Sequence, residues 1–264
     1  MISERDVDDY LVRIGERPPL APTLEGLVTL QRAHCAAVPF ENLDILLGRP
    51  IALDLPALVE KLVRGRRGGY CFEHNTLFRA VLEALGYRVA AFAARVRVGT
   101  TAVRPRTHML LRTDLPEGAF LVDVGFGGDG PLHPIPFVEG RETWIGRNGH
   151  RLHREGELWV LQGNTGSTWT DLYAFAIEPC YDVDFEMANH FTSTHPRSPF
   201  VQNLVAQRSW PEKRAILRNR ELTVREDGET ALTAIRDPEH LLEVLSGVFD
   251  LHFPAGTRFR QPEF

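Results

Sequence analysis

The sequence predicts an α+β protein: a helical first third, a central run of antiparallel strands forming a sheet or barrel, and a small α/β appendage at the end. Three observations predict it. Helix caps and helically spaced apolar residues dominate up to Gly86, short strand-like runs broken by Gly, Pro and Asp follow, and three further short runs precede a last helix. A length of 264 residues accommodates one large domain or two to three small ones sharing interfaces. The expected divisions are 1–86, 87–195 and 196–264.

Ser3 can cap a helix through about Arg13, Thr23 a second carrying Leu24, Leu27, Val28 and Gln31 at helical spacing, and Asp54 a third ending near Gly65. A fourth runs from about Phe72 to Leu85, with Phe72, Leu77, Phe78, Val81, Leu82 and Leu85 as its apolar positions and Gly86 as its stop. Strand-like runs then occupy Tyr87–Val98, Thr107–Arg112, Ala119–Val124, Glu157–Gln162 and Tyr173–Ile177. Asp182–Phe191 reads as a helical or irregular bridge. The appendage takes strands at Arg214–Leu217, Leu222–Arg225 and Ala231–Ile235 and a helix at Pro238–Val248. The sequence has neither an internal repeat nor a low-complexity linker, so its parts are expected to pack together.

Apolar residues at 43% and charged residues at 25% exclude a disordered or collagen-like chain. Thirty Lys+Arg against 35 Asp+Glu leave a formal net charge of −5, which argues against a nucleic-acid or anionic-membrane surface. Any anionic ligand must then be bound locally. Lys61 and Lys213 are the only lysines, so the basic residues are mostly guanidinium forks suited to phosphate or carboxylate. Cys35, Cys71 and Cys180 form an odd, sparse set without a CxxC pair, against a disulfide scaffold or a multi-cysteine zinc module. Met1–Tyr10 is acidic and lacks an apolar core, and no run of 18 apolar residues occurs. A cytoplasmic, reducing location is expected, with neither signal peptide nor membrane span.

Arg66-Arg67-Gly68-Gly69-Tyr70-Cys71-Phe72-Glu73-His74-Asn75 is the most informative segment. Its glycines permit a tight loop that sets Cys71 at the start of the fourth helix. Unpaired N–H groups and the positive end of the helix dipole favour a thiolate there, making Cys71 a nucleophile candidate. The plain alternative is a small buried hydrophobe. Cys35, in mid-helix, and Cys180, at a strand end, keep that reading. His74 lies one turn after Cys71 and projects along the helix; a zinc site from the two lacks further ligands with metal-like spacing, so no metal is expected.

A cysteine nucleophile benefits from an imidazole held by a third group. Thr107–Arg112 and Ala119–Val124 read as the arms of a hairpin. Pairing Arg112 with Ala119 sets Leu110 opposite Leu121 and His108 opposite Asp123, within carboxylate–imidazole reach. Met109 and Leu111 on one face, with Leu110 and Leu121 on the other, imply burial on both sides, where an unpaired Asp is costly. A structural His–Asp bond is the alternative, and a one-residue slip separates the pair. Gly125-Phe126-Gly127-Gly128 follows, a glycine-rich turn able to present N–H groups to a phosphate or oxyanion, and not a Walker loop.

The sequence resembles the arylamine N-acetyltransferase family. The match rests on Val38-Pro39-Phe40-Glu41-Asn42-Leu43-Asp44, Arg67–Asn75, Arg106-Thr107-His108 and Val122-Asp123-Val124-Gly125-Phe126-Gly127, in family order and spacing, and spans about Val38 to Phe200. The resemblance implies a helical bundle, a β-barrel and an α/β lid, arranged around a cysteine-protease-like triad of Cys71 as nucleophile, His108 as base and Asp123 as orienting carboxylate. It implies acetyl-coenzyme A as co-substrate and an arylamine, arylhydrazine or arylhydroxylamine as acceptor, in a ping-pong cycle. Phe40, Phe126 and Phe200 would line the acceptor pocket, and Thr107, Gly127 and Gly128 would lie beside the donor. Neither nucleic acid nor membrane is an expected partner, and a monomer or homodimer is expected.

Two other enzyme classes share the triad: an amide synthase of the same superfamily that closes a polyketide macrolactam, and a Cys-His-Asp protease or transglutaminase. A non-enzymatic scaffold is the remaining alternative.

Overall fold

Ser3, Thr23 and Asp54 all cap helices through their side chains, as their positions ahead of apolar periodicity require. The computed structural model describes residues 1–18, 21–100, 102–166, 168–178 and 180–263. Helix α1 spans Glu4–Ile14 and α2 Leu24–Ala37, followed by a short strand β1 (Phe40–Glu41) and one helical turn α3 (Leu43–Leu46). The third expected helix is only half α-helical. After α4 (Leu55–Leu58) it widens to a π-helix over Val59–Arg64, where the Gly65 N–H bonds the Glu60 carbonyl at 2.7 Å. Helix α5 spans Cys71–Ala84, and Gly86 follows at φ 91, a left-handed stop suited to glycine.

Among the described residues eight antiparallel strands come next: β2 (Val89–Val96), β3 (His108–Leu115), β4 (Gly118–Val122), β5 (Ile135–Pro136), β6 (Thr143–Ile145), β7 (Asn148–Glu155), β8 (Leu158–Asn164) and β9 (Thr170–Phe175). Their sheet order is β5-β4-β3-β2-β9-β8-β7-β6. A Glu139–Leu152 bridge returns the β5 edge to β7, so the sheet curls into a nearly closed barrel. Sequence reading missed β5, β6 and β7; in β7 the run His150-Arg151-Leu152-His153-Arg154 hides a buried alternation of His150 and Leu152 behind charged neighbours.

The β3–β4 register corrects the hairpin expectation. Asp114 pairs with Ala119 and Leu115 with Gly118, so Arg112 faces Leu121 rather than Ala119. The turn is tighter than expected because Gly118, at φ 133, adopts backbone angles that side chains resist. His108 and Asp123 are therefore not directly opposed. A shift of two residues nevertheless preserves the face, and the pair meets diagonally. Burial on both faces of β3 is as expected: Met109 and Leu111 pack on the helices, Leu110 and Leu121 inside the barrel.

Helix α6 (Asp182–Thr194) resolves the ambiguous bridge as helix, and α7 (Pro199–Gln202) follows. The last sheet runs β1-β10-β11-β12-β13, with β10 at Val205–Ser209, β11 at Lys213–Arg218, β12 at Glu221–Glu226 and β13 at Glu229–Ala234, and α8 (Pro238–Phe249) packs on it. Sequence reading missed β10, which stands between β1 and β11 and sets Phe40 opposite Gln207. The parts interlock: Leu43 and Leu46 enter the C-terminal core, while Phe185 of α6 packs on Phe72 of α5. No helix among the described residues is long and apolar enough to cross a membrane.

Candidate active site

The start of α5 is built from behind by charge and from below by histidines. Gly68 crosses the Pro39 carbonyl too closely for any Cβ, and a Cβ on Gly69 would stand 2.7 Å from the Glu73 carboxylate. That carboxylate accepts the Tyr70 N–H at 3.0 Å, closing the first turn. Lys61 joins Glu73 and Asp44 at 2.7 Å each, and Arg67 grips Glu41 at 2.6 Å and Asp44 at 3.2 Å. Burial works against the Lys61 charge, but Glu73, Glu41 and Asp44 outweigh it and push its pKa up.

His74 points into the helical bundle. Its Nε2 donates to the Gly69 carbonyl at 3.0 Å and the Pro39 carbonyl at 3.2 Å, since carbonyls only accept. Its Nδ1 must then accept from His34 Nε2 at 2.7 Å, and His34 Nδ1 accepts the Tyr10 hydroxyl at 2.7 Å. Burial pushes the His74 pKa down to about 4, so the relay is neutral and holds the loop ahead of Cys71.

Cys71 is the first residue of α5, buried, with Sγ 3.5 Å from the Thr107 carbonyl. The next residue, His108, opens β3 and sets Nε2 2.7 Å from Asp123 Oδ2. The Cys71 thiol acts on the same ring. Asp123, immediately beyond β4, is saturated: Tyr173 hydroxyl donates to Oδ2 at 2.9 Å, and Asn75 Nδ2 at 3.0 Å and Gly125 N–H at 2.9 Å donate to Oδ1. Burial alone would lower the His108 pKa, but Asp123, together with the Cys71 thiol, raises it strongly. Burial likewise opposes ionisation of Asp123, yet His108, Asn75 and Gly125 hold its pKa below the usual range. The arrangement joins a thiol, a ring biased to carry a proton and a fixed anion.

Asn75 and Tyr173 escaped sequence reading. Asn75 falls one turn after Cys71 and also donates to the Met109 carbonyl at 2.8 Å, stitching α5 to β3; its place in the segment was the available signal. Tyr173 had no local signal. Cys35 lies in the last turn of α2 rather than mid-helix, and burial pushes its pKa up to about 12; burial also raises that of Cys180.

A cleft of about 980 Å³ opens on Cys71 and His108. Phe40, Thr107, Phe126, Gly127, Gly128 and Phe200 line it too, so every nominated residue borders it except Asp123, which stands behind His108. Phe40 and Phe200 lie 5.8 Å apart between ring centroids, and Phe126 meets His108 edge-on at 5.1 Å. Gly125 packs against α5 so closely that a Cβ would stand 2.7 Å from the Cys71 Cα.

A family model described as N-acetyltransferase matches residues 23–257. The chain is 40% identical over 253 residues to the arylamine N-acetyltransferase of Mycobacterium tuberculosis, covering 94% of this chain and 89% of that protein. The chain belongs to the arylamine N-acetyltransferase family. Its fold is that of the family: the M. tuberculosis arylamine N-acetyltransferase structure superposes with TM-score 0.88 at 40% identity, over 92% of this chain and 93% of that one. The Mycobacterium marinum arylamine N-acetyltransferase in complex with CoA does so with TM-score 0.88 at 37% identity, over 93% and 92%. A Salmonella typhimurium relative, 39% identical over 204 residues (77% of this chain, 73% of that protein), is named an arylamine N-acetyltransferase / N-hydroxyarylamine O-acetyltransferase. The chain is an acetyltransferase, and these relatives do not favour the amide synthase or protease alternatives.

Proposed function

We propose that the protein moves an acetyl group from acetyl-coenzyme A to an arylamine, arylhydrazine or arylhydroxylamine through an acetyl-Cys71 intermediate. The observation that carries this reading is the cleft that ends on Cys71 and His108, with His108 Nε2 held 2.7 Å from Asp123. His108 takes the Cys71 proton, and the sulfur attacks the thioester carbonyl of the donor. The C–S bond to coenzyme A breaks, and its departing sulfur takes the proton back from His108. One thioester replaces another, so this half is nearly balanced in energy.

In the second half the acceptor nitrogen attacks the acetyl carbonyl, His108 accepts the nitrogen's proton, and the Cys71 sulfur leaves and is reprotonated. Amide formation drives this half. An aromatic amine is uncharged at neutral pH, so its lone pair is available, and Phe40, Phe126 and Phe200 offer its ring edge and offset contacts. Thr107, Gly127 and Gly128 flank the donor. The N-hydroxyarylamine O-acetyltransferase name of the S. typhimurium relative supports an arylhydroxylamine among the acceptors, whose hydroxyl oxygen then attacks in place of the nitrogen, gives its proton to His108 and forms an ester.

Intact-mass analysis after mixing with acetyl-coenzyme A tests this. One acetyl group on Cys71 is expected, absent in Cys71→Ala, strongly slowed in His108→Ala and discharged by an arylamine. Acetylation that persists in Cys71→Ala overturns the assignment.

A further inference from the structure

The turn Gly127–Gly130 on the cleft wall has every carbonyl engaged by the protein. Gly127 O accepts the Gly130 N–H at 2.7 Å, and Asp129 O accepts His150 Nε2 at 2.7 Å. Gly128 O accepts from Arg214 Nη1, and Gly130 O accepts from Arg214 Nη2 at 3.1 Å. Arg214, on β11, is 3% exposed and does not line the cleft. Among the described residues its Nε has no hydrogen-bond partner and no carboxylate stands within ion-pair distance; the neighbouring Asp129 is taken by Arg225 at 2.6 Å. A buried guanidinium spent on two backbone carbonyls is a costly way to fill a core, since a hydrophobic side chain of similar volume avoids the desolvation penalty.

Peptide geometry shows what the charge accomplishes. In a trans peptide the C=O of Gly128 and the N–H of Asp129 point in opposite directions. With that carbonyl turned to Arg214, the Asp129 N–H is turned away from Arg214, and Gly128 and Asp129 both line the cleft. Among the described residues this N–H makes no hydrogen bond. Positive φ at Gly127 (70) and Gly128 (41) allows the turn to take this course.

We propose that Arg214 is a positioning residue for the acyl donor: its buried guanidinium fixes the Gly127–Gly130 turn so that the Asp129 N–H is presented to acetyl-coenzyme A. This rests on the acetyl-Cys71 reading above. It acts in the donor half-reaction and leaves the acceptor half untouched, and ping-pong kinetics separate the two. The constant kcat/KM for acetyl-coenzyme A reports donor binding and Cys71 acetylation; kcat/KM for the arylamine reports discharge of the acetyl-enzyme.

Arg214→Met removes the charge, and Arg214→Lys keeps it without a fork that spans both carbonyls. With p-anisidine as acceptor, both variants are expected to lose roughly 10–100-fold in kcat/KM for acetyl-coenzyme A, the scale of a small misplacement near reacting atoms. The value for p-anisidine should stay within about threefold of wild type. Equal losses in both constants mean a general structural role and overturn the proposal, as does no loss in either. If Arg214→Met does not fold, Arg214→Lys carries the same comparison. Wild-type protein that forms no acetyl-Cys71 overturns the functional reading and this inference with it; a wild type that labels, beside variants that label equally fast, overturns the role of Arg214 alone.

Discussion

Asp123→Asn is the sharpest perturbation of the site because the new side chain is nearly isosteric and the four donors around Asp123 differ in their freedom to adapt. The Gly125 N–H is fixed, so the Asn oxygen should occupy the Oδ1 position, where it accepts from Gly125 and Asn75. The new NH2 then faces His108 Nε2 and the Tyr173 hydroxyl, which now stand 2.7 Å and 2.9 Å from a carboxylate oxygen. Tyr173 can rotate its O–H and accept. His108 can accept only by giving up its Nε2 proton, which leaves the proton on the nitrogen facing Cys71 and removes the base. The same tautomer fault in Ser-His-Asp proteases costs about 10⁴ in kcat, and a loss of about 10³–10⁴ in the rate of Cys71 acetylation is expected here. One charge-assisted hydrogen bond is also lost, about 1.5–3 kcal/mol of stability.

The pH dependence of that loss has a definite sign. Because the folded pKa of His108 is raised, its contribution is complete below its ordinary value of 6.5 and fades as pH rises through the folded value. Because that of Asp123 is lowered, its contribution is complete above 3.8 and fades as pH falls through the folded value. The stability gap between wild type and Asp123→Asn should therefore be widest between pH 3.8 and 6.5 and shrink in alkali. Single-turnover mass analysis reads the rate and urea unfolding across pH reads the gap. An Asn variant that acetylates within about tenfold of wild type, with a gap flat from acid to alkali, refutes the tautomer argument.

Gly125→Ala forces a methyl group to within 2.7 Å of the Cys71 Cα, and overpacking of about 1–3 kcal/mol with a large loss of Cys71 acetylation is expected by thermal melting and mass analysis. Phe200→Ala removes a ring that meets Phe40 at 5.8 Å and Tyr70 at 5.7 Å, each pair worth about 0.5–1.5 kcal/mol. Steady-state kinetics should show a several-fold fall in kcat/KM for the arylamine with kcat/KM for acetyl-coenzyme A little changed. Lys61→Met strands the buried carboxylate of Glu73, while Arg67 still holds Asp44, and should cost about 3–5 kcal/mol in urea unfolding at neutral pH.

What sequence reading could reach follows from the range of the forces involved. Helix caps and apolar spacing act within one turn, so Ser3, Thr23 and Asp54 were placed and Cys71 fell at a helix start. The His108–Asp123 contact survived a mistaken register because strand side chains alternate with period two and the error was two residues; an error of one would have put them on opposite faces. Strands β7 and β10 went unseen because Arg, His, Gln and Ser mask their buried positions, and β10 is what carries Gln207 to Phe40.

The partners that complete the site were illegible for a different reason. Tyr173 lies 50 residues beyond Asp123, and its hydroxyl arrives only because the sheet curls, with β2 flanked by β3 and β9 and the rings of His108 and Tyr173 4.7 Å apart inside the barrel. Curvature is a property of the closed sheet, set by twist and by the Glu139–Leu152 bridge, and no run of residues encodes it by itself. Arg214 reaches Gly128 and Gly130 from 86 and 84 residues away, across the junction of the two sheets. The residues proposed to meet substrate thus sit in short, readable motifs, whereas those that hold them in place are spread over the whole fold and become visible only once the chain is closed.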